Sequence, residues 1–357
     1  MARNLRLRDR DSPVTDEGII LRVYGYSHPL NAAICDAEYA SERIYHSDNT
    51  RALRKDRKSQ SIYYKFYSDE GLQFIKNNYS QYQIYYKPLQ KWMVGIRKEQ
   101  IAELRRPEEK LQQLIIGEEK DMLINSGIDV LDMIFERSSL RSSDFGIFGS
   151  ILHGFHHISY SDLDFVIYGR KSLNTLLSLL ADFYSERGSS LRNEFETPPK
   201  AGSSSHWMFK DYSAEEYVWH EKRKLIWAIY NSKSLGRRIK VEFEPIRNWN
   251  EIKKEPKSLL IEKAGWIRCI ASVLTEDESY YMPSIYPIKV EEFVSGTKVE
   301  NIIQTISYVE EFRMQAKAGE RVLIEGNLER VTFPKGSFHQ ITLTYGPRYH
   351  DQVIKVL

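Results

Sequence analysis

Two aspartates one residue apart, Asp162 and Asp164, sit in the run Ser161-Asp162-Leu163-Asp164-Phe165-Val166-Ile167. On a β-strand alternate side chains share a face, so both carboxylates project together while Leu163 and Phe165 turn to the other side. Like charges so close repel unless a cation stands between them. Oxygen ligands at the rim of a sheet suit Mg²⁺ (or Mn²⁺), a cation commonly shared with substrate phosphates. Gly149 and Ser150 precede the pair, separated from it by residues 151–161. The glycine allows close backbone approach, and the serine offers a hydroxyl and an N–H at what reads as a helix start. A later run, Arg237-Arg238-Ile239-Lys240-Val241-Glu242-Phe243-Glu244-Pro245, places Glu242 and Glu244 on one face and Ile239, Val241 and Phe243 on the other. A phosphate-holding turn followed by a metal-binding pair outlines a nucleoside triphosphate site.

The elements needed to position these groups are legible nearby. DFGIFG (144–149) and DFVIYG (164–169) are β-branched and aromatic runs closed by glycine, as buried strands are. From Glu99 to Ser139 apolar residues recur at helical spacing; Pro107 is expected to start a long helix and Gly127 to break it from the next. A helix is expected over 172–188, ending at a glycine cap, and another over 211–230, capped by Asp211 or Ser213.

The pattern Gly149-Ser150, spacer, Asp162-Leu163-Asp164 resembles the signature of the polymerase-β nucleotidyltransferase superfamily, and within it the uncharacterised archaeal predicted nucleotidyltransferases. The resemblance covers roughly residues 100–250. It implies an α/β (α+β) core with a mixed sheet in which Gly149 and Ser150 hold the β and γ phosphates. Asp162 and Asp164 would bind two Mg²⁺ ions, and a third carboxylate on a later strand would hold metal on the acceptor side. Glu242 is the candidate for that third acid, with Glu244 as its alternative; the family usually has Asp there. The implied reaction is attack of an acceptor hydroxyl, possibly of RNA, on the α-phosphate of a nucleoside triphosphate, with release of pyrophosphate. Some superfamily members have lost a carboxylate. A catalytically degenerate module that binds RNA or a protein partner is therefore the alternative.

Composition sets outer bounds. The 357 residues suffice for two or three domains, and 41% hydrophobic with 28% charged residues is a folded, globular balance. A net charge of +2 gives no overall electrostatic pull toward nucleic acid. Cys35 and Cys269 fit neither a zinc site nor a disulfide framework, and no apolar run is long enough to span a membrane. Those features, with a basic N-terminus lacking a signal-like apolar stretch, predict a cytoplasmic protein.

Three segments are expected: an α+β accessory region (1–100), the nucleotidyltransferase domain (101–260) and a C-terminal β-barrel or sandwich (261–357). Residues 1–100 carry 17 Lys and Arg against 12 Asp and Glu. There the cluster Arg51, Arg54, Lys55, Arg57, Lys58 precedes Tyr63, Tyr64, Tyr67, Tyr82, Tyr85, Tyr86 and Trp92, a mixture that suits single-stranded nucleic acid or, more simply, half-buried strands beside a solvated face. The last segment has 11 basic and 13 acidic residues over 262–357, which argues against strong RNA binding there. His153, His156 and His157 lack further partners for zinc and read as polar lining of the spacer. A Gly/Pro/Ser-rich loop, 189–207, offers Lys200, His206 and Lys210 as charged groups near a nucleotide. Residues 248–260 read as a linker helix or hinge.

Overall fold

The computed structural model of the chain describes residues 6–118, 120–196, 209–253, 259–346 and 348–357. It is a mixed α/β protein with three sheets and few helices, in two compact units. The first unit comprises Met1–Tyr85, Trp92–Glu194 and Leu225–Lys253; the second comprises Tyr86–Lys91, Phe195–Lys224 and Lys254–Leu357.

The first unit opens with eight strands: β1 (Ser12–Val14), β2 (Ile19–Val23), β3 (Ala32–Ser41), β4 (Leu53–Lys55), β5 (Ile62–Lys65), β6 (Gln83–Tyr86), β7 (Lys91–Arg97) and β8 (Glu103–Arg105). They form one sheet in the order β4-β5-β3-β2-β1-β8, with β7 on β3 and β6 on β7. The pairing of β1 with β8 carries this sheet across residue 100. Helix α1 (Glu70–Asn78) adds Phe74 and Ile75 to a core of Ile19, Leu21, Val23 and Ile96. Residues 31–46, readable as helix or as strand then helix, are strand through Ser41, because β3 is central and bonds β2, β5 and β7.

The second sheet of this unit carries the acidic motif. Its strands are β9 (Phe145–Ile147), β10 (Leu163–Tyr168), β11 (Leu191–Asn193), β12 (Trp227–Ser232) and β13 (Arg237–Ile246), ordered β11-β12-β13-β10-β9. Only β10 and β13 run parallel, so the sheet is mixed. Leu163, Phe165, Val241 and Phe243 are buried, and the Phe165 and Phe243 rings stack at 5.7 Å.

Helices α2 (Pro107–Ile116), α3 (Met122–Glu136), α4 (Gly149–Leu152) and α5 (Arg170–Ser185) complete the unit. Pro107 does start α2, but that helix ends at Ile116 and α3 starts at Met122, so the break does not fall at Gly127. The Asp121 carboxylate caps α3 by accepting from the Leu123 and Ile124 N–H groups at 2.9 Å. Gly127 lies buried inside α3, where a Cβ would stand 3.1 Å from Leu163 Cδ2; it brings the helix onto β10.

Two other expectations are corrected. The helix expected over 211–230 is α6 (Ala214–Lys224) only. Trp227-Ala228-Ile229-Tyr230 is strand instead, since these aromatic and apolar residues pair with β13. The loop expected from 189 begins with strand β11; residues 197–208, including Lys200 and His206, lie outside the described residues. So do 254–258 of the expected linker.

The second unit holds α6 and strands β14 (Leu260–Val273), β15 (Ser284–Gly296), β16 (Ile302–Ser307), β17 (Arg321–Phe333), β18 (Gly336–Leu343) and β19 (Val353–Val356). Pairing follows β14-β15-β16-β18-β17-β19, and β14 also bonds β17, which closes the circuit. Ile267, Cys269, Ala271 and Val273 alternate into its core with Tyr286, Leu328 and Ile341. Ser213 caps α6 in a reciprocal box with Glu216, and His220 Nε2 of that helix accepts the Val356 N–H at 3.2 Å. None of the helices among the described residues is long and apolar enough to cross a membrane.

Candidate functional site

Gly149, two residues past the end of β9, opens the single turn α4 with φ +60°, a conformation glycine adopts without penalty. A Cβ on it would stand 2.1 Å from Asp164 Oδ2, so both backbone and space require glycine here. The Phe148 N–H donates to the Asp164 carbonyl at 2.9 Å and fixes the turn against β10. Asp164 is half-buried and Asp162 exposed. In the parallel ladder Asp164 stands opposite Glu242 and Val166 opposite Glu244, while Asp162 comes just before β10.

The two glutamates have different surroundings. Glu244 is 1% exposed and accepts from Arg10, Nε at 2.7 Å, in a buried ion pair. Glu242 is half-buried and stands opposite Trp227 on its other flank.

Loss of water, with neighbouring negative charge, raises both acids. Burial, then the Asp162 charge, pushes the Asp164 carboxyl up to about 7 against the pull of Lys65; Glu244 and Glu38 add to the rise. Asp162 is raised too, first by loss of water around its carboxyl, while Lys240 and Arg237 pull it down. Such a pair fits a hard divalent cation, which would relieve the repulsion that Asp162 exerts on Asp164. Among the described residues no three His, Cys, Asp or Glu side chains gather as a metal-holding group. Further oxygen ligands would therefore come from phosphate and water, as Mg²⁺ ordinarily takes them.

Asp162, Asp164, Gly149 and Ser150 line one cleft of about 800 Å³. Its other wall is the β4–β5 hairpin, which contributes Arg54, Lys55, Arg57 and Lys65. Phe155 seats the hairpin there: its ring packs at 5.3 Å on Tyr39 and 5.1 Å on Tyr63, and the Arg57 N–H donates to the Gly154 carbonyl at 3.1 Å. Arg54 spends its guanidinium on the Arg51 and Leu53 carbonyls. Arg57 pairs with Asp121 and reaches His156 Nε2 at 2.6 Å. Lys55 and Lys65 form no ion pair among the described residues. Sequence reading noticed this basic cluster but tied it to the tyrosines. Of those, Tyr64 and Tyr82 are buried, Tyr63 packs on Phe155, and Tyr85 and Trp92 are exposed edge to face.

The spacer histidines each have a partner. His153 and His157 do not share a helix, because α4 ends at Leu152. His153 is buried against Tyr39 and lies 3.3 Å from Arg105; burial lowers its pKa despite Glu38. His156 Nε2 meets Asp121 Oδ2 at 2.9 Å. Asp121 is held well below the usual carboxylate range: burial raises it, and His156, the Ile124 N–H and Arg57 together outweigh that rise. Arg237, at the head of the later acidic run, donates to the carbonyls of Ile158 and Ser161. Lys210 pairs with Asp351 inside the second unit.

No family model and no solved structure matches the chain. An uncharacterised protein of the archaeon Methanocaldococcus jannaschii is similar, at 25% identity over 345 residues, spanning 93% of each chain.

Proposed function

We propose that the chain is a metal-dependent nucleotidyltransferase that moves a nucleoside monophosphate from a nucleoside triphosphate to an acceptor hydroxyl, releasing pyrophosphate. One observation carries this reading: the acid pair and the Gly149-Ser150 turn share a cleft with cations supplied from about 100 residues earlier in the chain. Polyanion-binding charge and cation-binding acids on facing walls are what phosphoryl chemistry needs, because it depends on positioning and charge stabilisation.

Asp162 and Asp164 would hold Mg²⁺ or Mn²⁺, which when bound withdraws charge from phosphate oxygens and favours ionisation of an attacking hydroxyl. Lys55 and Lys65 offset the triphosphate charge, and Ser150 presents its hydroxyl to a phosphate. Glu242, beside Asp164 in the ladder, is the group to accept the acceptor's proton, Glu244 being committed to Arg10.

The test is pyrophosphate release from each ribonucleoside triphosphate with Mg²⁺ or Mn²⁺, with and without total RNA. The Asp162→Asn/Asp164→Asn double variant is expected to stay folded and lose more than about a hundredfold in rate. Equal turnover in that variant would sink the mechanism.

The buried Arg10–Glu244 pair and the absence of a three-acid group among the described residues favour a second reading. In it the core is a degenerate module that binds RNA or a protein partner. It predicts nucleotide binding indifferent to Mg²⁺ and never followed by pyrophosphate release.

A further inference from the structure

The spacer between the glycine turn and the acid pair ends in an aromatic step that none of the assigned roles uses. The His157 and Tyr160 rings lie parallel, with centroids 4.1 Å apart and planes within 7°. Both line the acid cleft, and Tyr160 is 72% exposed, so its outer face is open.

The step is held in place from several sides. The Ser159 N–H donates to His157 Nδ1 at 3.1 Å, which puts the ring proton on Nε2 in the neutral imidazole. The His157 N–H donates to Ser161 Oγ at 2.8 Å, and the His157 carbonyl accepts from the Tyr160 and Ser161 N–H groups. Arg237 on β13 then clamps the far side through its bonds to the Ile158 and Ser161 carbonyls, at 2.7–3.1 Å. A flat ring, preorganised and open on one face, can receive another flat ring at little ordering cost.

We infer that His157 and Tyr160 form a stacking platform for a nucleobase, placed in the cleft whose cations and acids would take the triphosphate. This rests on the nucleotide reading above. The base belongs to the substrate nucleotide rather than to a strand, since platform, Lys55, Lys65 and Asp164 line a single cleft of one nucleotide's scale. Stacking is tolerant of base identity but stronger for the larger ring system, so purine nucleotides bind more tightly than pyrimidine ones. Arg237 is a positioning residue for the platform.

The experiment is calorimetric titration of the full chain with Mg²⁺ and ATP, UTP, inorganic tripolyphosphate or a short oligoadenylate. Tyr160→Ala is expected to weaken ATP about tenfold, UTP less, and to leave tripolyphosphate within twofold. Tyr160→Phe restores ATP binding, because stacking needs the ring and not the hydroxyl. Equal ATP affinity in wild type and Tyr160→Ala overturns the platform. So does an equal loss for ATP and tripolyphosphate, which would mean the loop had collapsed. A loss confined to oligoadenylate would assign the ring to a strand and overturn the placement of the substrate base. If wild type binds neither ATP nor tripolyphosphate, the nucleotide reading itself fails and the platform with it.

Discussion

Asp164 carries the tension of the site. Its carboxyl titrates at about 7, first because it is buried and then because Asp162 stands beside it. An unfolded aspartate titrates near 4. The group therefore contributes stability that is complete below about pH 4 and is lost as pH rises through about 7. Asp11 titrates at about 8 by burial and Glu108, and adds a slope of the same sign. In metal-free protein, going from pH 5 to pH 8 should therefore lower the melting temperature of the wild type relative to that of Asp164→Asn; His28 and His220, held down to about 4 by burial, act with the opposite sign in both proteins. Added Mg²⁺ or Mn²⁺ should raise the wild-type melting temperature at pH 8 and leave the variant's unchanged. Identical melting profiles in the two proteins would show that Asp164 is not under strain.

At the scale of elements, the β4–β5 hairpin converts an acidic strand end into a two-sided cleft. Its seat is the Tyr39–Phe155–Tyr63 ring cluster, so Lys55 beside the turn and Lys65 at the open end can change without disturbing its anchor. Replacing Lys55 and Lys65 with Ala should raise KM for the nucleotide about tenfold or more, with a small fall in melting temperature, since neither lysine makes an ion pair among the described residues and Lys65 offsets part of the Asp164 charge. An unaltered KM would mean that the hairpin faces the acids without serving them.

Across the whole first unit, the N-terminal run Arg8-Asp9-Arg10-Asp11 is buried and ties distant segments together. Arg10 meets Glu244, 234 positions later; Arg8 bonds Glu108 at 2.9 Å and lies over the Tyr168 ring at 3.8 Å. A buried charge deprived of its partner is costly, whereas an apolar pair of similar size is tolerated. Arg10→Met alone should therefore cost about 3–5 kcal/mol in chemical denaturation, and Arg10→Met with Glu244→Leu should recover the part owed to Glu244, leaving the part owed to Asp9, 3.9 Å from Arg10. Failure of the double variant to recover would assign the segment a role beyond pairing Glu244.

The sequence by itself determined the local grammar of the acid motif. Period-two alternation put Asp164 on one face of β10 and Leu163 and Phe165 on the other, with Asp162 just before the strand, and it marked β13 as the later acidic strand. Pro107 as a helix start was equally local, because a missing N–H and a fixed φ act within one turn. Tertiary structure alone decided what lies across from each group. Gly127 looked like a break because glycine lowers helix propensity, yet the close fit of α3 on β10 overrides that preference. Trp227–Tyr230 followed a helical run and became strand because β13 offered an edge. Glu242 and Glu244 are equivalent by parity; only the arrival of Arg10 from the other end of the chain separates them. Long-range pairing of charges leaves no mark on the spacing of the residues that make it, so the cationic wall of the cleft became visible only once the hairpin was folded against the acids.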